Sequence, residues 1–252
     1  MTGVRAILFD LGNTLLEYSL TGRWREFLIA RLAELGPGAC DTMTPAAFSP
    51  GDFARQVGDV IGGAEARAIE HSGRSWHFRD RLREGLAAVG VNADADHIER
   101  LTDLFYEPIR ACNRPYPDTT DTLTGLRSAG LRLAIITNAP WDTPARLLRG
   151  DLEQWDCADF FDAFICSGDV PWRKPNPRFM LAAAEELRVP PDACLVVGDS
   201  LDADIAGANA AGMRSAWMNP SGAAPPPGGP RPDWTAKSLT AVAELLDIEE
   251  CA

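Results

Sequence analysis

Apolar residues are distributed along this chain in two distinct ways. Short unbroken runs at 4–9, 131–136, 163–166, 194–197 and 215–218 are each bounded by turn residues, the pattern of strands buried on both faces of a parallel sheet. Helical patterns separate the later runs: 119–129 after Pro117-Asp118, 143–155 with Pro144 near its start, 177–187, and 202–211 ending at Gly212. Strand alternates with helix, which predicts an α/β fold on a doubly wound parallel sheet.

From about 17 to 114 the pattern changes to helical spacing without strand-like runs. Trp24, Phe27, Leu28, Leu32 and Leu35 form one stripe; Phe53, Val57, Val60 and Ile61 a second; Trp76, Leu82, Leu86 and Val89 a third; Ile98, Leu101, Phe105 and Ile109 a fourth. An all-helical insert is therefore expected at 17–114, with 1–16 and 115–252 forming the sheet domain. Gly36–Pro50 reads as a loop inside the insert, and Asn219–Pro232 as a Pro/Gly-rich surface loop. Asp233-Trp-Thr is an expected edge strand, and Ser238–Leu246 a closing helix.

A formal net charge of -12 on 252 residues makes attraction to nucleic acid or an anionic membrane unfavourable. Small-molecule chemistry is the expectation. The amino terminus lacks a signal-peptide pattern and no stretch approaches a membrane span, so the expected compartment is cytoplasmic. Six cysteines show no Cys-x-x-Cys or zinc spacing and are expected to be reduced thiols, while the three histidines are too dispersed to suggest a metal cluster. Basic residues are almost all arginine; the two lysines are Lys174 and Lys237.

Four polar segments lie at or just beyond predicted strand ends: Asp10 with Thr14; Thr137-Asn138; Arg173-Lys174-Pro175-Asn176-Pro177; and Gly198-Asp199-Ser200 with Asp204. The carboxyl ends of parallel strands share one edge, so all four meet in one crevice. Residue type then suggests roles. Asp10 is a nucleophile for a phosphoryl phosphorus, Thr137 and nearby N–H groups donate to phosphoryl oxygens, and Lys174 lets one anion approach another. Asp10 and Asp199 offer hard oxygens to Mg²⁺. Taken singly each segment is better explained as a turn, a structural strand end, a helix cap or a solvated loop; their order and placement together reverse that and favour a site.

With these residues the chain resembles the haloacid dehalogenase superfamily of phosphohydrolases. The resemblance rests on Phe9-Asp10-Leu11-Gly12-Asn13-Thr14-Leu15, Thr137-Asn138, Lys174-Pro175-Asn176-Pro177, and Gly198-Asp199-Ser200 with Asp204, followed by Ile205-Ala206-Gly207-Ala208 and Ala211-Gly212-Met213. It implies a Rossmann-like core with a helical cap of the C1 type. It also implies that Asp10 is the nucleophile, with Lys174 and Thr137 as catalytic partners. Thr137, Asn138 and Lys174 would bind the phosphate. Mg²⁺ would sit on Asp10, the Gly12 carbonyl and Asp199, with Asp204 a further acid bound directly or through water and Asp202 a weaker substitute for it. The implied partner is a small phosphorylated metabolite.

One position departs from the family. Its phosphatases place a second aspartate two residues after the nucleophile, to protonate the leaving group and then activate water; here that residue is Gly12. A general acid/base is worth ~10²–10⁴ in rate. Either another group replaces it, with Glu17, Tyr18 and His77 as candidates by side-chain type, or the substrate has a good leaving group, or turnover is slow. The expected function is Mg²⁺-dependent hydrolysis of phosphate monoesters through an aspartyl-phosphate. The alternatives are a phosphometabolite-binding protein with little turnover and, behind it, a 2-haloacid dehalogenase, against which Asp199 argues. The family's phosphonatases need a cap lysine, and with no lysine before Lys174 that activity is close to excluded, while the missing acid disfavours a phosphomutase.

Overall fold

The five apolar runs all become strands, and three shorter strands join them: β1 (Ala6–Phe9), β2 (Leu16–Tyr18), β3 (Asn113–Pro115), β4 (Arg132–Thr137), β5 (Ala163–Cys166), β6 (Cys194–Gly198), β7 (Arg214–Met218) and β8 (Trp234–Ala236). This computed structural model describes residues 3–19, 24–35, 49–63, 67, 69 and 71–246, with Trp24 and Arg25 described by their backbone alone. Most of the loop expected at 36–50, and the Trp24 side chain of the first stripe, lie outside them. Six strands form one sheet in the order β5-β4-β1-β6-β7-β8, every pair parallel. The chain leaves β1 toward one side and returns at β6 on the other, so the crevice belongs at the carboxyl ends of these two central strands.

Alternation within β1 explains its unbroken apolar run. Ile7 and Phe9 pack into one buried cluster and Ala6 and Leu8 into another, one on each face of the sheet. The first cluster continues into the insert through Leu28, Leu32, Phe53, Val57 and Phe105. The four stripes fold as helices Trp24–Leu35, Pro50–Gly62, Phe78–Ala88 and Ala95–Arg110. Ser49 caps the second, with its side chain accepting from the Asp52 N–H, and Asp94 caps the fourth from His97.

Several boundaries differ from expectation for local reasons. Extended Thr143, held so by Pro144, delays the helix to Ala145–Glu153 and leaves a 3₁₀ turn at Pro140–Asp142 before it. The helix expected at 202–211 is a π turn, Leu201–Ile205, followed by Ala206–Ala210. Strands β2 and β3, three residues each, pair antiparallel where the insert leaves and rejoins the sheet; runs that short carry no readable period. Trp76 and Val89 flank the third insert helix rather than lying in it. Among the described residues no helix is long and apolar enough to cross a membrane.

Candidate active site

Asp10 directly follows β1, and its N–H is bonded to the Val197 carbonyl at 2.8 Å, which keys it to β6. Its buried carboxylate accepts from Thr14 Oγ1 (3.2 Å) and from Lys174 Nζ (2.6 Å). The same ammonium donates to Asp204 Oδ1 at 2.6 Å and to the Ile136 carbonyl at 3.0 Å, so all three of its protons have acceptors. Lys237 is exposed and elsewhere. Thr137, the last residue of β4, is buried and lines the cavity beside Asp10. Asn138 does something the sequence did not reveal: its carboxamide oxygen accepts from the Lys174 N–H (2.9 Å) and its nitrogen donates to the Lys174 carbonyl (3.1 Å). The side chain read as a phosphate ligand is thus engaged in holding the lysine's backbone.

The third carboxylate comes back to the sheet through the π turn. Ser200 Oγ caps the turn from the Ala203 N–H, and the Ser200 N–H donates to Asp204 Oδ2 at 3.0 Å. Single π turns are characteristic of functional positions. Here the wide turn folds Asp204 against Gly198, so closely that a Cβ on Gly198 would lie 2.2 Å from the Asp204 carboxyl carbon. Asp10, Asp199 and Asp204 each offer an oxygen, all within 4.8 Å of one another. Asp202 is exposed and outside this group.

Burial, reinforced by the charge of Asp10, pushes Asp199 up to about 6. Asp204 is pushed up to about 7, again mainly by burial, with Lys174 opposing and Asp10 adding to the rise. Burial alone would pull the Lys174 ammonium down, but the charges and hydrogen bonds of Asp10 and Asp204 outweigh it and hold Lys174 above the ordinary lysine value. Three carboxylates face one ammonium. The donor set is all oxygen with a surplus of negative charge, which fits a hard divalent cation such as Mg²⁺.

These groups form the floor of a cavity of about 560 Å³, whose opposite wall includes Leu28, Gly62, Arg67 and Trp76 of the insert. Trp141 packs on Phe27 (6.2 Å) and edge-on to Phe105 (5.3 Å). Of the groups weighed as replacements at Gly12, Glu17 pairs with Arg114 at 2.6 Å and His77 Nδ1 lies 2.9 Å from the Gly168 carbonyl; neither lines the cavity. Tyr18 does, with ring carbons 3.6 Å from where a Gly12 Cβ would sit. Its hydroxyl donates to buried Asp151 at 2.8 Å, as does Tyr106 at 2.7 Å. Burial first, then Asp151, raises Tyr18 well above the usual phenol value, so it keeps its proton. Among the described residues the carboxylates lining the cavity are Asp10, Asp199 and Asp204, and none stands in for the side chain absent at Gly12.

Sequence reasoning passed over Asp142 altogether. Its buried carboxylate accepts from the Trp76 N–H at 3.0 Å and lies 3.4 Å from Arg173 Nη1, joining insert to core. Trp141 and Asp142 both adopt φ of 51°, uncommon for residues with a Cβ. No motif marks this pair; the contact spans |i−j|=66.

Comparison with known proteins agrees with this architecture. A family model described as haloacid dehalogenase-like hydrolase matches residues 4–212. The chain is 32% identical over 266 aligned positions to N-acylneuraminate-9-phosphatase of Homo sapiens, covering 100% of this chain and 97% of that protein. It is 30% identical over 247 positions to phosphoglycolate phosphatase of Vibrio vulnificus strain YJ016, covering 97% and 96%. Its fold matches the 2-haloacid dehalogenase of Pseudomonas syringae pv. Tomato DC3000 with a TM-score of 0.66 at 25% identity, covering 97% and 98% of the two chains. The chain belongs to the haloacid dehalogenase-like hydrolases and is an enzyme that groups with their phosphatases.

Proposed function

We propose that the protein is a Mg²⁺-dependent hydrolase of small phosphate monoesters, acting through an aspartyl-phosphate on Asp10, with the helical insert as a cap over the cavity. The observation that carries this reading is the contact of Lys174 with both Asp10 and Asp204 at the floor of a cavity large enough for a metabolite. An Asp10 oxygen attacks phosphorus as the bond to the ester oxygen breaks, and the alcohol departs with a proton. Water then attacks the phosphorus of the aspartyl-phosphate, releasing inorganic phosphate and restoring the carboxylate. Lys174 offsets the charge that Asp10 and the phosphoryl group bring together, Thr137 donates its hydroxyl to a phosphoryl oxygen, and Asn138 holds Lys174 in place.

Asp10, the Gly12 carbonyl and Asp199 would hold Mg²⁺, with Asp204 acting through water because both its oxygens already accept, from Lys174 and Ser200. When bound, the cation draws charge from the phosphoryl oxygens. The proton that Gly12 cannot supply comes from solvent or is made unnecessary by a good leaving group. A cytoplasmic enzyme acting on phosphorylated metabolites fits the acidic charge; the phosphatases it resembles act, by name, on N-acylneuraminate 9-phosphate and phosphoglycolate. Gly12 also motivates the second reading, a metabolite binder with slow turnover.

Wild type, Asp10→Asn and Gly12→Asp are to be compared on a broad panel of phosphate esters with and without Mg²⁺. A Cβ at Gly12 meets the Tyr18 ring at an ordinary contact distance, and Gly12 is not in the left-handed region, so the aspartate fits. Phosphate release is expected to need Mg²⁺ and to fall by ~10³-fold or more in Asp10→Asn. Gly12→Asp should gain ~10²-fold on esters with poor leaving groups. Wild-type release no faster than Asp10→Asn across the panel would overturn the assignment and leave the binder.

A further inference from the structure

Besides the ribbon of β2 and β3, the insert touches the sheet domain directly beside Lys174. Arg74 forms an antiparallel bridge with Trp172. The Arg173 N–H donates to the Gly73 carbonyl at 3.1 Å, the Ser75 N–H to the Pro171 carbonyl at 3.2 Å, and Ser75 Oγ to the Trp172 carbonyl at 2.9 Å. Insert backbone is thus laced to Pro171–Arg173, the stretch that leads into the lysine.

The segment after β4 grips the same stretch from the core side. Asn138 holds the backbone of Lys174 through both atoms of its carboxamide. Asp142, which ends the 3₁₀ turn Pro140–Asp142, faces the guanidinium of Arg173, with Nη1 3.4 Å from each carboxylate oxygen. The same buried carboxylate accepts from the Trp76 N–H at 3.0 Å, so one side chain touches both the insert and the residue before the lysine. Strain collects at this junction: Trp141, Asp142 and His77 have φ of 51°, 51° and 46°, and His77 directly follows Trp76. Such conformations persist where surrounding contacts over-determine them, commonly at functional positions.

We propose that Asp142 is a positioning residue for Lys174: by holding the Trp76 N–H and the Arg173 guanidinium together, it sets the lysine against Asp10 only while the insert is docked. In its consequence for turnover this rests on the phosphatase reading; the coupling between insert and lysine segment does not.

The test compares wild type, Asp142→Asn and Tyr106→Phe as full chains in Mg²⁺ buffer. Asp142→Asn keeps an oxygen for the Trp76 N–H and removes the charge facing Arg173. Tyr106→Phe removes a different buried hydrogen bond between insert and core, the one to Asp151. In Asp142→Asn, amide exchange followed by NMR should accelerate ~tenfold at Ser75, Arg173 and Lys174 together, beyond any change at Val197 in β6, whose exchange reports global stability. With 4-nitrophenyl phosphate, kcat should fall ~tenfold while KM changes by less than ~threefold. Tyr106→Phe should leave kcat within ~twofold and Lys174 exchanging no faster than Val197 accounts for. A Lys174 amide that follows Val197 in Asp142→Asn, an unchanged kcat in an active enzyme, or the same response in both variants would overturn the proposal and leave Asp142 a structural tie. If Asp142→Asn does not fold, the double variant Asp142→Asn/Arg173→Gln, which removes the unmatched buried charge, gives the same readings. Failure of the phosphatase reading looks different: wild type releases no phosphate from any ester, while amide exchange still decides the coupling.

Discussion

On the sheet side of the cavity, a lysine joins two carboxylates, an asparagine holds that lysine's backbone, and a serine N–H fixes the second carboxylate. On the insert side, Leu28, Gly62 and Trp76 offer packing surface, and Arg67 brings a guanidinium that donates to the Gly62 carbonyl. One wall has its polar groups already hydrogen-bonded to one another and still carries a surplus of negative charge; the other is mainly packing surface with a single cation. Chemistry demands the first, because charge that develops during reaction must meet groups already in place. A wall of packing surface makes no comparable demand.

Lys174→Met would break the first wall most severely. It leaves Asp10 and Asp204 as buried charges without their shared cation, and removing one member of such a group costs ~3–5 kcal/mol. Denaturant unfolding in the presence of a chelator should show that loss, against less than ~1.5 kcal/mol for the ring-conserving Trp76→Phe on the opposite wall. Similar losses in the two variants would erase the contrast. Gly198→Ala is the next step down. Its Cβ would displace Asp204, with a cost of ~1–3 kcal/mol from overpacking and a drop in kcat; wild-type stability and kcat would show that the π turn need not seat the carboxylate so closely.

The smallest effect concerns pH. Asp199 and Asp204 are raised in the folded protein, to about 6 and about 7 from 3.8. In metal-free protein they contribute stability that is complete below 3.8 and lost as pH rises through 6 and 7. In the proposed site Mg²⁺ would favour the ionised form of both carboxylates, so the cation should raise Tm by ~2–4 °C more at pH 8 than at pH 5. Equal Mg²⁺ upshifts at the two pH values would detach these carboxylates from the metal.

How much could be read in advance depended on the range of the interaction. The helix Pro177–Leu187 appears as expected because its signals are adjacent: Asn176 accepts from the Arg178 N–H, and Pro177 is the first residue. The five buried runs became strands because alternation across two faces needs no distant information. The meeting of Asp10, Thr137, Lys174 and Asp199 followed from parallel strands sharing an edge. By contrast, Asn138 has the composition of a ligand and is occupied by a backbone 36 positions away. The π turn stayed hidden because its shape answers to Lys174 and Gly198, and Asp142 because its partners Trp76 and Arg173 come from separate segments. Local rules place elements; what a polar side chain does is decided by whatever else arrives beside it.

The small ribbon of β2 and β3 gives the insert an unusual standing. Tyr18 pairs with Asn113, so the chain between them begins and ends at neighbouring points, and in connectivity it is one long hairpin loop that a tight turn could replace without shifting any strand of the large sheet. Packing contradicts that modularity. Tyr18 at the root of the loop and Tyr106 deep within it share the same Asp151 oxygen on the core helix, with Arg110 3.2 Å from the other. A graft of a foreign cap onto this ribbon would inherit the join for free, yet would bury an aspartate stripped of Tyr106 and Arg110 unless the donor supplied their equivalents or Asp151 were replaced with it. The transferable unit is therefore the insert together with one residue of the core.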